Sequence, residues 1–183
     1  MKVLVAVFSA EGRTGKLARQ AASHMGWDFF EIQPERPYTK ADIRWTNPFS
    51  RCNKEKLGKR EVPVKGIVDH FDQYDAVLIG FPIWYGCAPN VVNTFCSGYD
   101  FTGKKVALFA TSGGSGIGKT KEKLQPYVKG AVIIDAKLVS DGDDLLEYAG
   151  RILGKSYKSQ EKEKSVIAKI ERFLNTVDVY EEL

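Results

Sequence analysis

Val3-Leu4-Val5-Ala6-Val7-Phe8-Ser9-Ala10-Glu11-Gly12-Arg13-Thr14-Gly15-Lys16-Leu17-Ala18 runs from six apolar residues through a Ser/Gly/Thr turn into the start of a helical pattern. Unbroken rather than alternating apolarity marks a strand covered on both faces, as in a parallel sheet flanked by helices. From Thr14 onward Leu17, Ala18, Ala21, Ala22 and Met25 form one apolar stripe at helical spacing, closed by Gly26. A strand, a turn rich in small and hydroxylated residues, and a helix N-terminus together form a ready site for a phosphate, because the first helical amides lack intrahelical acceptors and the helix dipole favours negative charge there.

Working outward, the same apolar signature recurs at Ala76–Phe81, Val106–Ala110 and Ala131–Leu138, with a weaker run at Phe29–Ile32. Helical stripes separate these runs. Pro89 is placed for the first turn of a helix carrying Val91, Val92 and Phe95, and a further helix is expected from about Gly118 to Lys129, bent or ended by Pro126. Leu145, Leu146, Ala149, Ile152 and Leu153 predict a short helix after the Asp141-Gly142 turn, and Val166, Ile167, Ile170, Phe173 and Leu174 predict a last one. Alternating strands and helices of this kind give an α/β fold with a parallel sheet. Residues 33–73, with four prolines and no long periodic run, read as an extended excursion holding at most a short helix near Val68 to Phe71. Residues 1–183 are expected to form one domain, with 139–158 as a short insertion before the last helix.

Composition narrows the class without choosing a function. Hydrophobic residues at 43% and charged residues at 27% suit an ordered globular protein. Three cysteines, Cys52, Cys87 and Cys96, form no C-x-x-C pair and favour a reducing compartment over a disulfide framework. The run Val3 to Phe8 is short for a signal peptide and no run approaches a membrane span, so a cytoplasmic location is expected, with no membrane partner. Residues 51–65 hold six cations against two carboxylates, an excess that accounts for the whole net charge of +4. Without interleaved aromatics such a stretch reads as a solvated loop, which argues against nucleic acid and is compatible with an acidic protein partner.

Three strand ends carry conspicuous turns: Ser9 to Gly15, Pro82-Ile83-Trp84-Tyr85-Gly86, and Thr111-Ser112-Gly113-Gly114-Ser115-Gly116. Parallel strands bring all three to one edge, where open sheets bind ligands. The first suits a phosphate. The second offers aromatic plates for a planar ring, with Gly86 admitting close backbone approach. The third offers amides and hydroxyls without bulk.

Phe8-Ser9-Ala10-x-Gly12-x-Thr14, Gly80-Phe81-Pro82-Ile83-Trp84-Tyr85-Gly86-x-Ala88-Pro89, and Phe101-x-Gly103-Lys104-Lys105-Val106 leading into Thr111-Ser112-Gly113-Gly114-Ser115-Gly116 resemble, in order, the motifs of the flavodoxin family, in particular its bacterial branch with a Trp-containing second loop. Pro37-Tyr38 through Asp42-Ile43-x-Trp45 to Ser50-Arg51 is similar to the same branch. The resemblance implies a three-layer α/β sandwich with a five-stranded parallel sheet in the order 2-1-3-4-5, FMN as cofactor, and electron transfer between protein partners, a reductase and an acceptor. Flavodoxin is one of the examples from which the strand-end binding rule was drawn, so the position of the flavin comes from the resemblance. It implies that Ser9, Gly12, Arg13 and Thr14 bind the FMN phosphate. Pro82, Ile83, Trp84, Tyr85 and Gly86 would line the ring, with Trp84 or Tyr85 stacked on it, and Thr111, Ser112, Gly113 and Gly114 would approach the ribityl chain and ring edge. It implies no catalytic side chain and no metal.

Two departures stand out. Glu11 occupies a position where the family normally has Thr, and Arg13 one where it normally has Asn or Thr; a carboxylate beside a phosphate weakens binding unless it turns outward or is paired, and Arg13 is the expected partner. The chain is also basic where typical electron-carrying flavodoxins are acidic. Two other functions therefore stay open: an NAD(P)H-dependent quinone or flavin reductase of the same fold, usually oligomeric, and a flavin-free binding module in which Glu11 has abolished the phosphate site. The protein is expected as monomer or homodimer.

Other motifs have blander readings. Gly113-x-x-x-x-Gly118-Lys119-Thr120 satisfies the Walker A pattern, but it follows a late strand, whereas a P-loop domain needs several strands after it. His24 and His70 have no metal-ligand partner at useful spacing, and Asp141, Asp143 and Asp144 read as a turn rather than a calcium loop. Cys87 lies beside the second turn with no evident basic neighbour, and no chemistry is assigned to it.

Overall fold

The computed structural model describes residues 1–58 and 60–154. Five parallel strands form its main sheet: β1 (Val3–Val7), β2 (Asp28–Glu31), β3 (Ala76–Pro82), β4 (Lys105–Thr111) and β5 (Ile133–Leu138). They lie in the spatial order β2-β1-β3-β4-β5, the order that the family resemblance implies. The direction of winding reverses between β1 and β3, so the carboxyl ends of those two strands flank the crevice where such sheets bind ligands.

All five residues of β1 are buried, because alternate side chains feed two separate cores. Val3, Val5 and Val7 face α1 (Arg13–Met25), whose small buried residues Ala18, Ala21 and Ala22 allow a close approach to the sheet. α1 ends at Gly26, which takes the left-handed conformation (φ +63°) and returns its amide to the carbonyl of Ala22. The expected helix after Asp141-Gly142 is α5 (Gly142–Leu153), capped by the Asp141 carboxylate on the amide of Asp144; Leu145, Leu146, Ala149 and Leu153 join the same core beside α1. Leu4 and Ala6 face the opposite core, filled by Val91, Val92 and Phe95 of α3 (Asn90–Ser97) together with Phe71 and Phe101. Pro89 is the residue just before α3. Pro126 does end the helix from Gly118: α4 (Thr120–Leu124) tightens into a 3₁₀ turn at Gln125–Tyr127.

Three expectations need correction. The run Ala131–Leu138 is not a strand covered on both faces: β5 starts at Ile133, lies at the sheet edge, and carries a register shift against β4 beside the half-exposed Ile134. The excursion is more structured than its prolines suggest. Gln33–Pro34 pairs antiparallel with Val64–Lys65, the short helix falls at Phe71–Gln73, and Arg51–Leu57 forms a helix, α2. The basic stretch is thus not simply a solvated loop, since Arg51 and Glu55 make a mostly buried i, i+4 ion pair on α2. The helix predicted around Val166 to Leu174 lies outside the described residues.

Candidate functional site

The turn after β1 places Gly12 at the N-cap of α1 with φ +84°, a conformation that favours glycine. No side chain caps this helix and no acid lies in its first turn, so the first amides remain available to an anion. Thr14 is buried, and its hydroxyl oxygen lies 2.8 Å from that of Thr111 at the end of β4. One of the two hydroxyls must donate to the other, which leaves a single proton for a ligand. Glu11 is exposed and makes no ion pair among the described residues; the expected Arg13 partnership is not formed.

The turn after β3 continues the sheet through the Ile83 amide, which donates to the carbonyl of Thr111 at 2.8 Å. Trp84 and Cys87 then exchange backbone hydrogen bonds across a two-residue hairpin whose central residues, Tyr85 and Gly86, both have positive φ (+53° and +69°). The strained Tyr85 is held from outside the turn: its hydroxyl donates to Asn53 Oδ1 of α2 and lies 3.3 Å from Cys52 Sγ. Burial, and next the contact with Cys52, push the Tyr85 phenol above its ordinary range, so it stays a neutral donor. Trp84 is fixed by edge contacts to Phe8 and Tyr38, with ring centroids 5.6 and 5.2 Å apart. Tyr38 donates to Glu55 Oε2 at 2.6 Å while Arg51 stacks on its ring and holds the other carboxylate oxygen. Burial and then Glu55 raise the Tyr38 phenol as well.

These turns open into two adjoining clefts. A cleft of about 540 Å³ is lined by Ser9, Ala10, Glu11, Arg13 and Thr14, by Pro82, Ile83 and Trp84, and by Thr111, Ser112 and Gly113. The second, about 410 Å³, shares Ile83, Trp84, Ser112 and Gly113 and adds Tyr85, Gly114 and Cys52. The sequence-predicted residues thus converge, with two exceptions. Gly12 and Gly86 line neither cleft and act through backbone conformation. Ser112 lines both, yet its oxygen also accepts the amides of Gly114 and Ser115 and so folds its own loop.

Sequence reasoning missed the far wall. Lys40, Ile43, Arg44, Trp45 and Thr46 line the first cleft, and Ile43 and Trp45 the second. The only signal was the family-like stretch from Pro37 to Arg51, which has no strand end to place it. It also missed that α2 sets Lys56 Nζ on the Cys87 thiol, so Cys87 does have a basic neighbour. The Walker reading fails on geometry: Thr120 is fully buried and donates its hydroxyl to the Ile117 carbonyl, which removes the group that would hold magnesium. Among the described residues no group of three His, Cys, Asp or Glu side chains is placed to hold a metal, and no helix is long and apolar enough to cross a membrane.

A doubly wound parallel sheet with an anion-ready turn at one end of a crevice and an aromatic slot at the other defines a binder of a phosphate-bearing, planar cofactor. The chain belongs to the flavodoxin family, whose model, described as flavodoxin, matches residues 2–149. It is similar to a proposed flavoprotein from Bacteroides eggerthii, 35% identical over 85% of this chain and 99% of that one, with a TM-score of 0.76. A proposed flavoprotein from Bacteroides uniformis is 36% identical over 81% of this chain and 97% of that one, with a TM-score of 0.75. A flavoprotein from Lactobacillus acidophilus, solved in complex with FMN, shares the fold at 22% identity over 81% of this chain and 98% of that one, with a TM-score of 0.61. No curated protein matches the chain.

Proposed function

We propose that this protein binds FMN across the two clefts and carries electrons between protein partners. The observation that supports it most is continuity: the clefts share Ile83, Trp84, Ser112 and Gly113, so one ligand can reach from the α1 N-terminus to the aromatic slot. The residues fit the cofactor's chemistry. Unpaired amides and the Thr14–Thr111 hydroxyl pair suit its phosphate, and Trp45, Trp84 and Tyr85 suit its ring. When bound, FMN supplies the electron-transfer chemistry, and the protein tunes it by stacking and hydrogen bonding. Exposed Trp45 and half-exposed Tyr85, both lining the second cleft, give the ring end a rim suited to protein contact, and the positive charge of the chain suits an acidic partner.

Titration of purified protein with FMN tests the cofactor: stacking should quench flavin fluorescence, and no binding at high micromolar FMN would overturn the reading. Steady-state NAD(P)H oxidation with a quinone tests the role. Turnover without an added reductase would replace the carrier with the reductase of the same fold.

A further inference from the structure

We propose that Lys40 and Arg44 are the cationic arm of the phosphate subsite and make the site selective for a phosphorylated flavin over riboflavin. The inference rests on the FMN reading above and adds residues from outside the strand-end turns.

The geometry begins with Thr39. Its hydroxyl and amide both bond Asp42 Oδ2 at 2.9 Å, its hydroxyl accepts the Asp42 amide at 3.2 Å, and its carbonyl accepts the Ile43 amide at 3.3 Å. This is one helical turn closed by a reciprocal Thr-x-x-Asp cap. Lys40 and Arg44 stand at the two ends of this turn, and both line the phosphate-end cleft.

The turn's own acid does not neutralise them. Asp42 is committed to Thr39 and to Arg36, 3.6 Å away, and the Thr39 amide, as the largest cause, holds its carboxyl below the usual range. Neither Lys40 nor Arg44 makes an ion pair among the described residues, whereas Arg19, Arg36, Arg51, Lys137 and Arg151 all do.

Charge matching gives these cations a role. The β1–α1 turn offers amides, the Ser9 hydroxyl, the proton left by the Thr14–Thr111 pair, Arg13 and the opposing Glu11, a set with no net formal charge. A phosphate monoester carries about −1.5 to −2 at neutral pH. Adding Lys40 and Arg44 gives the cleft a matching excess of two positive charges. Riboflavin, without the phosphate, gains nothing from them.

The test titrates wild-type protein and the Lys40→Ala/Arg44→Ala variant with FMN and with riboflavin, at low and high ionic strength. In the variant FMN affinity should fall about tenfold or more, the loss expected for charge-assisted bonds, while riboflavin affinity stays within about twofold. The salt dependence of FMN binding should shrink with it. Arg44→Lys, which keeps the charge, should retain most of the affinity. Equal losses for both flavins, or no loss for either, would overturn the arm while leaving FMN as the cofactor. A wild type that binds no FMN would overturn the cofactor reading and the arm with it.

Discussion

The two ends of the cleft are built by opposite means. At the phosphate end the amides belong to a contiguous turn whose geometry is set by backbone, one glycine at φ +84° and a helix start, and only the Lys40/Arg44 arm and Thr111 come from elsewhere in the chain. At the ring end the aromatic wall is held by side chains from segments dozens of residues away. Tyr85 hangs on Asn53 and Cys52, and Trp84 leans on Tyr38, which is pinned by Glu55 and Arg51. The amides of the first site are set locally, and of that end only the cationic arm shares the excursion. The second depends on the whole excursion staying in place.

The largest expected effect breaks the ring end at its keystone. Glu55 is 8% exposed and serves Tyr38 and Arg51 at once. Glu55→Ala strands a mostly buried guanidinium and an unsatisfied phenol, and should cost about 3 kcal/mol in urea unfolding. An unchanged midpoint would mean that apolar contacts, not this network, hold the excursion to the sheet.

Gly12→Ala probes the phosphate end. An added Cβ would meet nothing within 4 Å, so the penalty is purely conformational. About 1–2 kcal/mol of stability should be lost, together with FMN affinity, because the following amides would be re-aimed. If stability falls and affinity does not, the amides are not the phosphate's ligands.

This contrast explains what the sequence made legible. The strands buried on both faces and the three turns follow from apolar periodicity and from glycines at strand ends, all local signals, and so did most residues lining the clefts; the strand order came from the family resemblance. α2 was hidden because only Cys52 and Glu55 of it are buried, leaving no apolar stripe, and its charged residues read as a solvated loop. The contacts Tyr38–Glu55, Asn53–Tyr85 and Lys56–Cys87 join residues 17, 32 and 31 positions apart, and no spacing rule announces them. The bulge at Ile134 was likewise invisible, since edge and central strands share the same apolar letters.

A smaller effect is expected at Asn53. Its amide nitrogen donates to the carbonyls of Trp45 and Asn47 at 2.8 and 2.7 Å, while its oxygen receives the Tyr85 hydroxyl, so it ties both walls of the ring slot together. Water can replace much of this at a partly exposed site, and Asn53→Ala should cost about 1 kcal/mol of stability. Its signature is spectroscopic: the visible absorption of bound FMN should shift as the slot loosens, while phosphate competition for the site stays unchanged. A shift in competition alone would place Asn53's influence at the wrong end of the cleft.

The smallest effect concerns Glu11, the one carboxylate among the described residues that line the phosphate-end cleft. Because it is exposed and makes no ion pair among the described residues, solvent screens its repulsion of a phosphate, so Glu11→Thr should tighten FMN binding only about three- to fivefold, with riboflavin unaffected. Since Glu11 makes no ion pair with Lys40 or Arg44, the gain should be nearly the same with those cations present or removed. A gain that vanishes in the Lys40→Ala/Arg44→Ala background would mean that Glu11 acts by holding the cations away from the phosphate. No gain in either background would mean that the carboxylate points away from the bound ligand, and the departure at position 11 would then carry no energetic weight at all.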